Sequence, residues 1–199
     1  MADTEERPDA LPAGLAALVA RAGKQGRKPP VERWNPDYCG EIDMRIAADG
    51  TWYYLGSPIG RAPLVRLFAS VLKYEDGHHY LVTPVEKIGI RVDDAPFVAV
   101  EMHAAGVGRD AMLTFRTNVG DVVDAGPEHV LRFVVEPETG GLKPYLHVRA
   151  GLEALLARPL LYELVEQGQV EARPDGNWFG VWSGGAFFPI ERRDAEERP

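Results

Sequence analysis

Ile42-Asp-Met-Arg-Ile-Ala-Ala-Asp-Gly-Thr-Trp-Tyr-Tyr-Leu55 is the stretch that decides the fold class. Its apolar residues Ile42, Met44 and Ile46 alternate with charged ones, and an aromatic run follows the pair Asp49-Gly50. Alternation next to an Asp-Gly pair predicts a β-hairpin, because a type I′ turn needs two residues with positive φ. The stretch therefore predicts a half-buried antiparallel sheet.

Two helices are predicted in the N-terminal half. Residues 11–22 carry an apolar stripe with the helical period, formed by Leu11, Leu15, Leu18 and Val19. A basic segment that follows, up to residue 30, is expected to be flexible. Residues 61–73 carry a second stripe, and Pro63 suits the first turn of a helix, where its missing N–H is not needed. The predicted core residues of this helix are Leu64, Leu67, Phe68, Val71 and Leu72, with Arg66, Ser70 and Lys73 on the opposite face.

Further elements follow from periodicity and turn residues. Strands are predicted at residues 80–83, 87–92, 97–102, 113–116, 130–135 and 143–149. The leucine-rich segment 151–167 is predicted to be helical and to be kinked or divided at Pro159. A final hairpin is predicted to run through Asp175-Gly-Asn-Trp-Phe179 toward Ile190.

These elements predict an α+β protein of two small domains, built mostly from antiparallel sheets packed on helices. The turn-forming run Asp93-Asp-Ala-Pro96 marks the predicted boundary. The acidic ends, residues 1–10 and 195–199, offer little to bury and are expected to be dispensable. The expected organisation is an N-terminal helix and flexible linker over residues 1–33, a first α+β domain over 34–95, a second over 96–191 and a disordered tail over 192–199.

Two sequence echoes suggest an internal duplication. Asp49-Gly-Thr-Trp-Tyr53 and Asp175-Gly-Asn-Trp-Phe179 share the pattern Asp-Gly-x-Trp-aromatic, and Leu81-Val-Thr-Pro-Val85 is echoed by Phe115-Arg-Thr-Asn-Val119. Because repeated units argue for duplication, the two tryptophans are expected to occupy equivalent places. Asp-Gly-x-Trp is also a common hairpin solution, so chance is the alternative.

Composition and charge exclude several classes of function. The 199 residues carry a formal net charge of -8, which argues against a general nucleic-acid binder. The single cysteine, Cys39, excludes an internal disulfide and a thiolate-rich zinc site. Residues 1–10 lack the layout of a signal peptide, and no apolar run is long enough to span a bilayer. A cytoplasmic protein without membrane contact is therefore expected.

The sequence carries no catalytic signature. It contains neither a Gly-x-Ser-x-Gly elbow nor a His-Glu-x-x-His or clustered carboxylate motif. The adjacent acids Asp93 and Asp94 precede a proline turn, which favours a capping or solubility role over acid–base catalysis. No catalytic residue, metal or cofactor is predicted, and an enzyme is the less favoured expectation.

Polar residues that alternate with core residues suggest a ligand site instead. Arginine grips phosphate through paired hydrogen bonds, tyrosine stacks on a base and asparagine reads a base edge. The predicted ligand-binding residues are Lys87, Arg116, Asn118, Tyr145 and Arg149.

A period of two places Tyr145, His147 and Arg149 together on one face of the predicted strand 143–149. The alternative is that the five residues are ordinary solvent-facing side chains of half-buried sheets, forming structural salt bridges with Glu86, Asp121 or Glu153.

Several separated motifs resemble the bacterial family DUF1285, and together they span roughly residues 34–190. In the first half they are Gly40-x-Ile-Asp-Met44, Asp49-Gly-x-Trp52, Gly56-Ser-Pro-Ile59-x-Arg61, Leu67-Phe68, Leu81-Val-Thr-Pro84-x-Glu-Lys87 and Pro96-Phe97. In the second half they are Thr114-Phe-Arg-Thr-Asn118-x-x-Asp121 and Pro144-Tyr-Leu-x-Val-Arg149-x-Gly-Leu-Glu-Ala-Leu155-x-x-Arg158.

The resemblance implies a two-domain fold with internal duplication, whose C-terminal half is loosely similar to pleckstrin-homology (PH) domains. It also implies a ligand site at the domain interface, for a nucleotide-based molecule, and a role in signalling; it supplies no activity and no catalytic residues. The leading expectation is thus a regulatory or signalling protein that binds an anionic, nucleotide-like ligand at the interface of its two domains and has a signalling partner. The alternatives are a protein-interaction module without a small-molecule ligand and a nucleotide-acting hydrolase.

Overall fold

The computed structural model describes residues 11–21 and 29–193. The chain divides between Asp93 and Asp94 into two compact units, called here the N-terminal and C-terminal units. No helix in the two described ranges is long and apolar enough to cross a membrane. The predictions for the dispensable ends and most of the flexible linker lie outside the described residues, at positions 1–10, 22–28 and 194–199.

The described residues of the N-terminal unit form one six-stranded sheet and two α-helices. The strands are β1 (Tyr38–Ile46), β2 (Trp52–Tyr54), β3 (Ser57–Pro58), β4 (Leu72–Glu75), β5 (His78–Val82) and β6 (Lys87–Val92), and the helices are α1 (Ala13–Arg21) and α2 (Ala62–Ser70). The strand order is β3-β2-β1-β6-β5-β4. Neighbouring strands are antiparallel except β1 and β6, which run parallel.

In the C-terminal unit, residues 94–193 form a second six-stranded sheet, one α-helix and a separate three-stranded sheet. The elements are β7 (Phe97–Ala105), β8 (Met112–Thr117), β9 (Val122–Asp124), β10 (Leu131–Val135), β11 (Leu142–Arg149), β12 (Leu152–Leu156), α3 (Arg158–Glu166), β13 (Gln169–Arg173), β14 (Gly176–Ser183) and β15 (Ala186–Arg193). The orders are β10-β11-β12-β7-β8-β9 and β13-β14-β15. The chain is thus a sheet-rich, two-domain protein.

The two six-stranded sheets share one topology. Each consists of two three-stranded antiparallel meanders. The first strand of the first meander pairs in parallel with the last strand of the second, β1 with β6 in one sheet and β7 with β12 in the other. The order β3-β2-β1-β6-β5-β4 therefore matches β9-β8-β7-β12-β11-β10. Helix α2 connects the two meanders of the N-terminal unit, whereas α3 follows the second meander of the C-terminal unit.

The sequence echoes do not follow this topology. Trp52 lies on β2, whose counterpart by strand order is β8, but Trp178 lies on β14 of the separate three-stranded sheet. Residues 81–85 begin in β5 and residues 115–119 begin in β8, which are not counterparts either. The prediction that the two tryptophans occupy equivalent places is wrong, because Asp-Gly before an aromatic residue is a local turn solution that recurs on unrelated strands.

The predicted hairpin between β1 and β2 is confirmed, but its turn differs from the prediction. Gly50 has a positive φ of 83°, whereas Asp49 does not, so the connection is not a type I′ turn. The N–H of Gly50 donates to the Ala47 carbonyl over 2.9 Å. The Asp49 carboxylate accepts from the N–H of Thr51, and this hydrogen bond lowers the pKa of Asp49. Two successive positive φ values occur instead at the two-residue turns Leu55-Gly56, Asp76-Gly77, Ala150-Gly151 and Gly184-Gly185.

The predicted helix over residues 151–167 is wrong in its first third. Ala150 and Gly151 form a two-residue turn with positive φ, and the chain returns as β12 beside β11. Along β12 the buried and half-buried residues alternate, which is the period of a strand. Helix α3 begins only at Arg158, with Pro159 in the first turn, where proline needs no hydrogen-bond partner for its nitrogen.

The other predicted strands are confirmed with small shifts at their ends. In β6, Ile88 is buried while Arg91 is exposed, as the alternation predicts. The final hairpin is confirmed and gains a third strand, β13. Strand β15 extends to Arg193, two residues into the predicted tail, because these residues pair with β14.

The core of the N-terminal unit lies between the sheet and α2. Phe68 of α2 is buried and stacks on Trp52 of β2, with ring centroids 6.2 Å apart. The helix ends at Ser70, so Leu72 is buried from the first position of β4 and not from the predicted helix stripe. Leu64 and Leu67, both predicted to be buried, are half-buried.

Helix α1 is held by the turn that precedes β6. Leu15 is buried, and its N–H donates to Glu86 Oε1 over 2.8 Å. This carboxylate satisfies a first-turn donor that has no partner within the helix and interacts favourably with the helix dipole. A Cβ at Gly14 would lie 2.7 Å from Thr83 Oγ1, so the close approach of helix and turn depends on glycine.

In the C-terminal unit, Ser183 joins the three-stranded sheet to the six-stranded one. Its buried hydroxyl donates to the Ala125 carbonyl over 2.7 Å and accepts from the N–H of Leu113 over 2.8 Å. Leu160 and Leu164 of α3 are also buried. The core of this unit therefore lies between one face of the six-stranded sheet, helix α3 and the three-stranded sheet β13-β14-β15.

His79 of β5 is expected to make the stability of the N-terminal unit depend on pH. Its ring centroid lies 4.9 Å from that of Tyr74. Burial, and to a smaller extent the charge of His78, lowers the pKa of His79 from 6.5 to about 4. Between these values the unfolded chain binds more protons than the folded chain, so the stability contribution is complete above about pH 6.5 and is lost as the pH falls toward 4.

Urea unfolding at a series of pH values checks this expectation. The free energy of unfolding of the His79→Phe variant should fall less steeply than that of the wild type below pH 6.5. His78→Gln is the matched control, because His78 is exposed and should leave most of the slope intact. Identical slopes in the wild type and His79→Phe would contradict the assignment.

Candidate functional site

Two lysines meet on the N-terminal sheet, on the face opposite the buried Leu72, Leu81 and Ile88; we call it the outer face. The strand period turns Lys73 and Glu75 of β4 toward this face. It turns Tyr80 of β5 and Lys87 of β6 the same way, and backbone pairing sets Tyr80 opposite Lys73.

The two ammonium groups share one carboxylate. Lys73 Nζ lies 3.2 Å from Glu75 Oε1, and Lys87 Nζ forms an ion pair with Glu75 Oε2. Lys87 Nζ also lies 4.6 Å from the centre of the Tyr80 ring, within range of a cation–π interaction. We call Lys73 and Lys87 the lysine pair. Hydrogen bonds from Lys87 and then Lys73 lower the pKa of Glu75, and the bond to Glu75 raises the pKa of Lys87.

An exposed aromatic ring lies beside the lysine pair. Tyr38 at the start of β1 is 55% exposed, and its ring meets that of Tyr80 edge-on, with centroids 6.1 Å apart. Gly89 of β6 makes room for this arrangement. A Cβ at Gly89 would lie 3.5 Å from the Tyr38 hydroxyl and 2.9 Å from Glu41 Cγ.

On the C-terminal sheet, Arg116 is paired across two strands. It lies on β8 opposite Glu101 of β7, and its Nε donates to Glu101 Oε2 over 2.7 Å. A second bond joins its Nη2 to Glu101 Oε1. The Arg116 side chain is 46% exposed, so the pair lies on the surface.

Tyr145 of β11 is enclosed by other side chains. Its hydroxyl donates to Asp94 Oδ1 over 2.7 Å, and the Arg132 guanidinium lies 4.3 Å from its ring centre. Lys143 Nζ lies 3.2 Å from Asp94 Oδ2. Burial first, and then the bond to Asp94, raises the pKa of Tyr145 to about 12. The ring of Tyr145 is therefore covered by protein groups in this structure.

Asn118 follows the end of β8 and is bonded to the backbone of β7. Its N–H donates to the Val98 carbonyl over 2.8 Å, and its side-chain Oδ1 accepts from the Val98 N–H over 3.1 Å. These bonds extend the pairing of β7 and β8 past the irregularity that follows Ala99.

Arg149 does not lie where alternation places it. A register shift just before Arg149 puts it opposite the buried Leu152. Its guanidinium lies 4.8 Å from the centre of the buried Phe97 ring and forms an ion pair with Asp121. The prediction that Arg149 shares a face with Tyr145 is wrong, because a β-bulge adds one residue to the strand and reverses the alternation beyond it.

The four predicted ligand residues of the C-terminal unit do not converge on one point. Arg116 and Tyr145 both face away from the core, but β8 and β11 are separated by β7 and β12, a distance of three strand spacings of about 4.8 Å each. Asn118 bonds to β7, and Arg149 turns to the core side. Lys87 belongs to the N-terminal unit.

Both units match a known family. The family model described as "Domain of unknown function (DUF1285), N-terminal domain" matches residues 29–95. The model described as "Protein of unknown function (DUF1285), C-terminal domain" matches residues 96–190. The chain belongs to the DUF1285 family. The resemblance seen in its motifs is thereby confirmed.

Two crystal structures of DUF1285 family proteins are similar to this one. The protein from Silicibacter pomeroyi DSS-3 has a TM-score of 0.81 and 55% sequence identity, covering 88% of this chain and 94% of that chain. The protein from Shewanella baltica OS155 has a TM-score of 0.51 and 30% identity, covering 62% of this chain and 91% of that chain. No curated protein matches this DUF1285 chain.

Lys73, Glu75 and Tyr38 are absent from the site residues predicted from the sequence of this DUF1285 protein. Because residues 61–73 are predicted to form one helix, Lys73 is assigned to a helix face and not to a strand. The signal that could have found it is the pair Asp76-Gly77, a type I′ hairpin signal that directly follows the alternating residues of β4.

Among the residues that the structure describes, no group of three histidine, cysteine or acidic side chains is arranged to hold a metal ion. What the outer face of the N-terminal sheet offers is positive charge beside aromatic rings.

Proposed function

We propose that this protein is a cytoplasmic regulatory or signalling protein that binds an anionic, nucleotide-like ligand, and that the lysine pair holds the ligand's phosphate. The observation that carries the proposal is the meeting of two ammonium groups on one carboxylate, Glu75. Two ammonium groups share a single carboxylate, so these three groups together carry one net positive charge in a chain whose net charge is -8.

The neighbouring rings support a ligand with a planar group. A base or similar ring can stack on the exposed Tyr38, while phosphate oxygens accept hydrogen bonds from Lys73 and Lys87. Lysine binds phosphate as a point charge and needs no paired geometry. The two interactions together match a nucleotide better than a simple inorganic ion.

The finer features of the fold remain part of the proposal. An internal duplication would account for the identical strand order of the two six-stranded sheets. The proposal also includes a loose likeness of the C-terminal unit to PH domains, and the feature that supports it is the placement of α3 directly after β12, the last strand of the six-stranded sheet in chain order.

A protein-interaction role is the second candidate, favoured by exposed apolar residues of the C-terminal unit. Tyr162 and Val165 lie one turn apart on α3 and are both exposed, and Val170 of β13 follows closely in the chain and is exposed as well. Contiguous exposed apolar patches mark surfaces that bind other proteins, and these three residues lie within nine positions of one another in the chain.

Thermal unfolding with and without nucleotides tests the ligand proposal. At a concentration one hundred times its Kd, a ligand that binds only the folded protein should stabilise it by about 2.7 kcal/mol. Mono- and dinucleotides and inorganic pyrophosphate are the probes. We expect protection of the wild type and its loss in Lys87→Ala, because the variant lacks one of the two ammonium groups.

Arg91→Ala is the matched control, since Arg91 lies on the same outer face of β6 and pairs with Asp93 over 3.0 Å. It should retain protection. Arg116→Ala in the same screen tests whether this predicted ligand residue contributes. The proposal fails if no probe protects the wild type, or if Lys87→Ala is protected as well as the wild type.

A further inference from the structure

We propose that Glu75 is a built-in competitor for the ligand, occupying the place of its phosphate between the two lysines until the ligand displaces it. This inference rests on the proposed function and adds a regulatory element to it. It assigns to one carboxylate the control of how tightly an anion binds at the lysine pair.

The contacts of Glu75 resemble those that a phosphate would make. Its two oxygens each meet a different ammonium group, Oε1 with Lys73 and Oε2 with Lys87. A phosphate group also has negatively charged oxygens, which can accept hydrogen bonds from the same two ammonium groups. Glu75 and a bound phosphate would therefore compete for the same hydrogen bonds.

The Glu75 side chain is more exposed to solvent than the two lysines, so it lies on the side from which a ligand arrives. The side chains of both lysines are 17% exposed, whereas that of Glu75 is 30% exposed. An anion approaching from solvent meets the carboxylate before it can satisfy the ammonium groups. Binding must then displace Glu75 or leave the lysines with their internal partner.

The position of Glu75 in the fold allows this displacement. Glu75 is the last residue of β4, and β4 is an edge strand of the sheet. The Asp76-Gly77 turn directly follows Glu75. Its backbone is paired with His78 across that turn. The side chain can rotate away from the lysines while this backbone pairing is retained, so release needs no rearrangement of the sheet.

Charge balance gives the exchange its direction. With Glu75 in place the three groups carry one net positive charge, and with Glu75 turned away the two ammonium groups repel each other. A phosphate with two negative charges balances both lysines, which one carboxylate cannot do. The carboxylate therefore keeps the lysine pair stable without ligand and sets a threshold for anion binding.

Isothermal titration of the full chain with pyrophosphate and with ADP tests the inference. The proteins are the wild type, Glu75→Gln, Lys87→Ala and the control Glu41→Gln, which removes an exposed carboxylate beside Gly89 on the same face. We expect Glu75→Gln to bind both probes about fivefold more tightly than the wild type, which is the upper end of the range for a surface ion pair. Glu41→Gln should change the Kd by less than about twofold, through general charge alone.

The outcomes separate the inference from the proposed function. If the wild type binds either probe, Lys87→Ala loses binding and Glu75→Gln does not gain affinity, the competitor role is overturned while the lysine site stands. Equal gains in Glu75→Gln and Glu41→Gln also overturn it, since the effect is then one of net charge. If no protein binds either probe, both proposals fail. Thermal unfolding of each variant, with Glu75→Ala as a second replacement, confirms that the compared proteins are folded.

Discussion

Replacing Phe68 by alanine is expected to lower the free energy of unfolding by about 3 to 5 kcal/mol, the usual cost of truncating a buried phenylalanine. Phe68 lies on α2, is buried and stacks on Trp52 with ring centroids 6.2 Å apart. Truncation removes this apolar contact and leaves a cavity that the surrounding helix and sheet fill only in part. Urea unfolding followed by tryptophan fluorescence measures the loss.

Leu64→Ala is the control for this measurement. Leu64 lies on the same helix and in the same predicted stripe but is only half-buried. Its truncation should therefore cost clearly less than that of Phe68. A comparable loss for the two variants would show that α2 packs on the sheet through a different face.

Arg149→Ala is expected to lower the free energy of unfolding by about 3 kcal/mol, near the lower limit for breaking a buried ion pair by removing one partner. Asp121, its partner, has a side chain that is 9% exposed, and the Arg149 side chain is 23% exposed. Removing the guanidinium leaves a mostly buried carboxylate without this counter-charge. Contact with the Phe97 ring, 4.8 Å from the guanidinium carbon, is lost as well.

A double-mutant cycle with Asp121→Asn isolates the ion pair from the packing contribution. The double variant should be less destabilised than the sum of the single variants, since no charge is then left buried. Arg116→Ala serves as the comparison, because Arg116 pairs with Glu101 at the surface. Surface pairs contribute little, so its loss should be far smaller. Equal losses for Arg149→Ala and Arg116→Ala would be incompatible with an interior ion pair.

The Arg149 measurement also bears on the ligand. The sequence predicts Arg149 to be a ligand-binding residue, whereas its contacts with Asp121 and Phe97 indicate a structural role. If Arg149→Ala leaves stability unchanged and removes nucleotide protection, the predicted ligand role is supported instead. The two roles thus give opposite results in the same pair of experiments.

Strand periodicity is the part of this fold that can be predicted from the sequence. Residues 87–92 are predicted and observed as a strand with identical ends, with Ile88 turned inward and Arg91 outward. The prediction succeeds because one face of the sheet is covered and the other is not, which leaves a period of two in the residue types. The same reasoning is correct for the hairpin of β1 and β2.

The leucine-rich segment that begins at Leu152 shows where periodicity fails. Its leucines fit the spacing of a helix, yet residues 152–156 form β12 between β11 and β7. The two-residue turn at Ala150-Gly151 and the parallel pairing with β7 make this segment a strand. The pairing with β7 depends on residues more than fifty positions earlier in the chain. Short apolar runs are compatible with both structures, so neighbouring strands choose between them.

The local sequence was sufficient for most strands and for family membership, because these depend on residue types that lie close together in the chain. Tertiary structure alone decided which side chains meet. Glu75 and Lys87 are 12 positions apart, and Asp121 and Arg149 are 28 apart. The hydrogen-bonding groups of the backbone are the same in every strand, so the order in which strands pair cannot be predicted from any single segment. A single bulged residue then changes which face a side chain joins, as Arg149 shows.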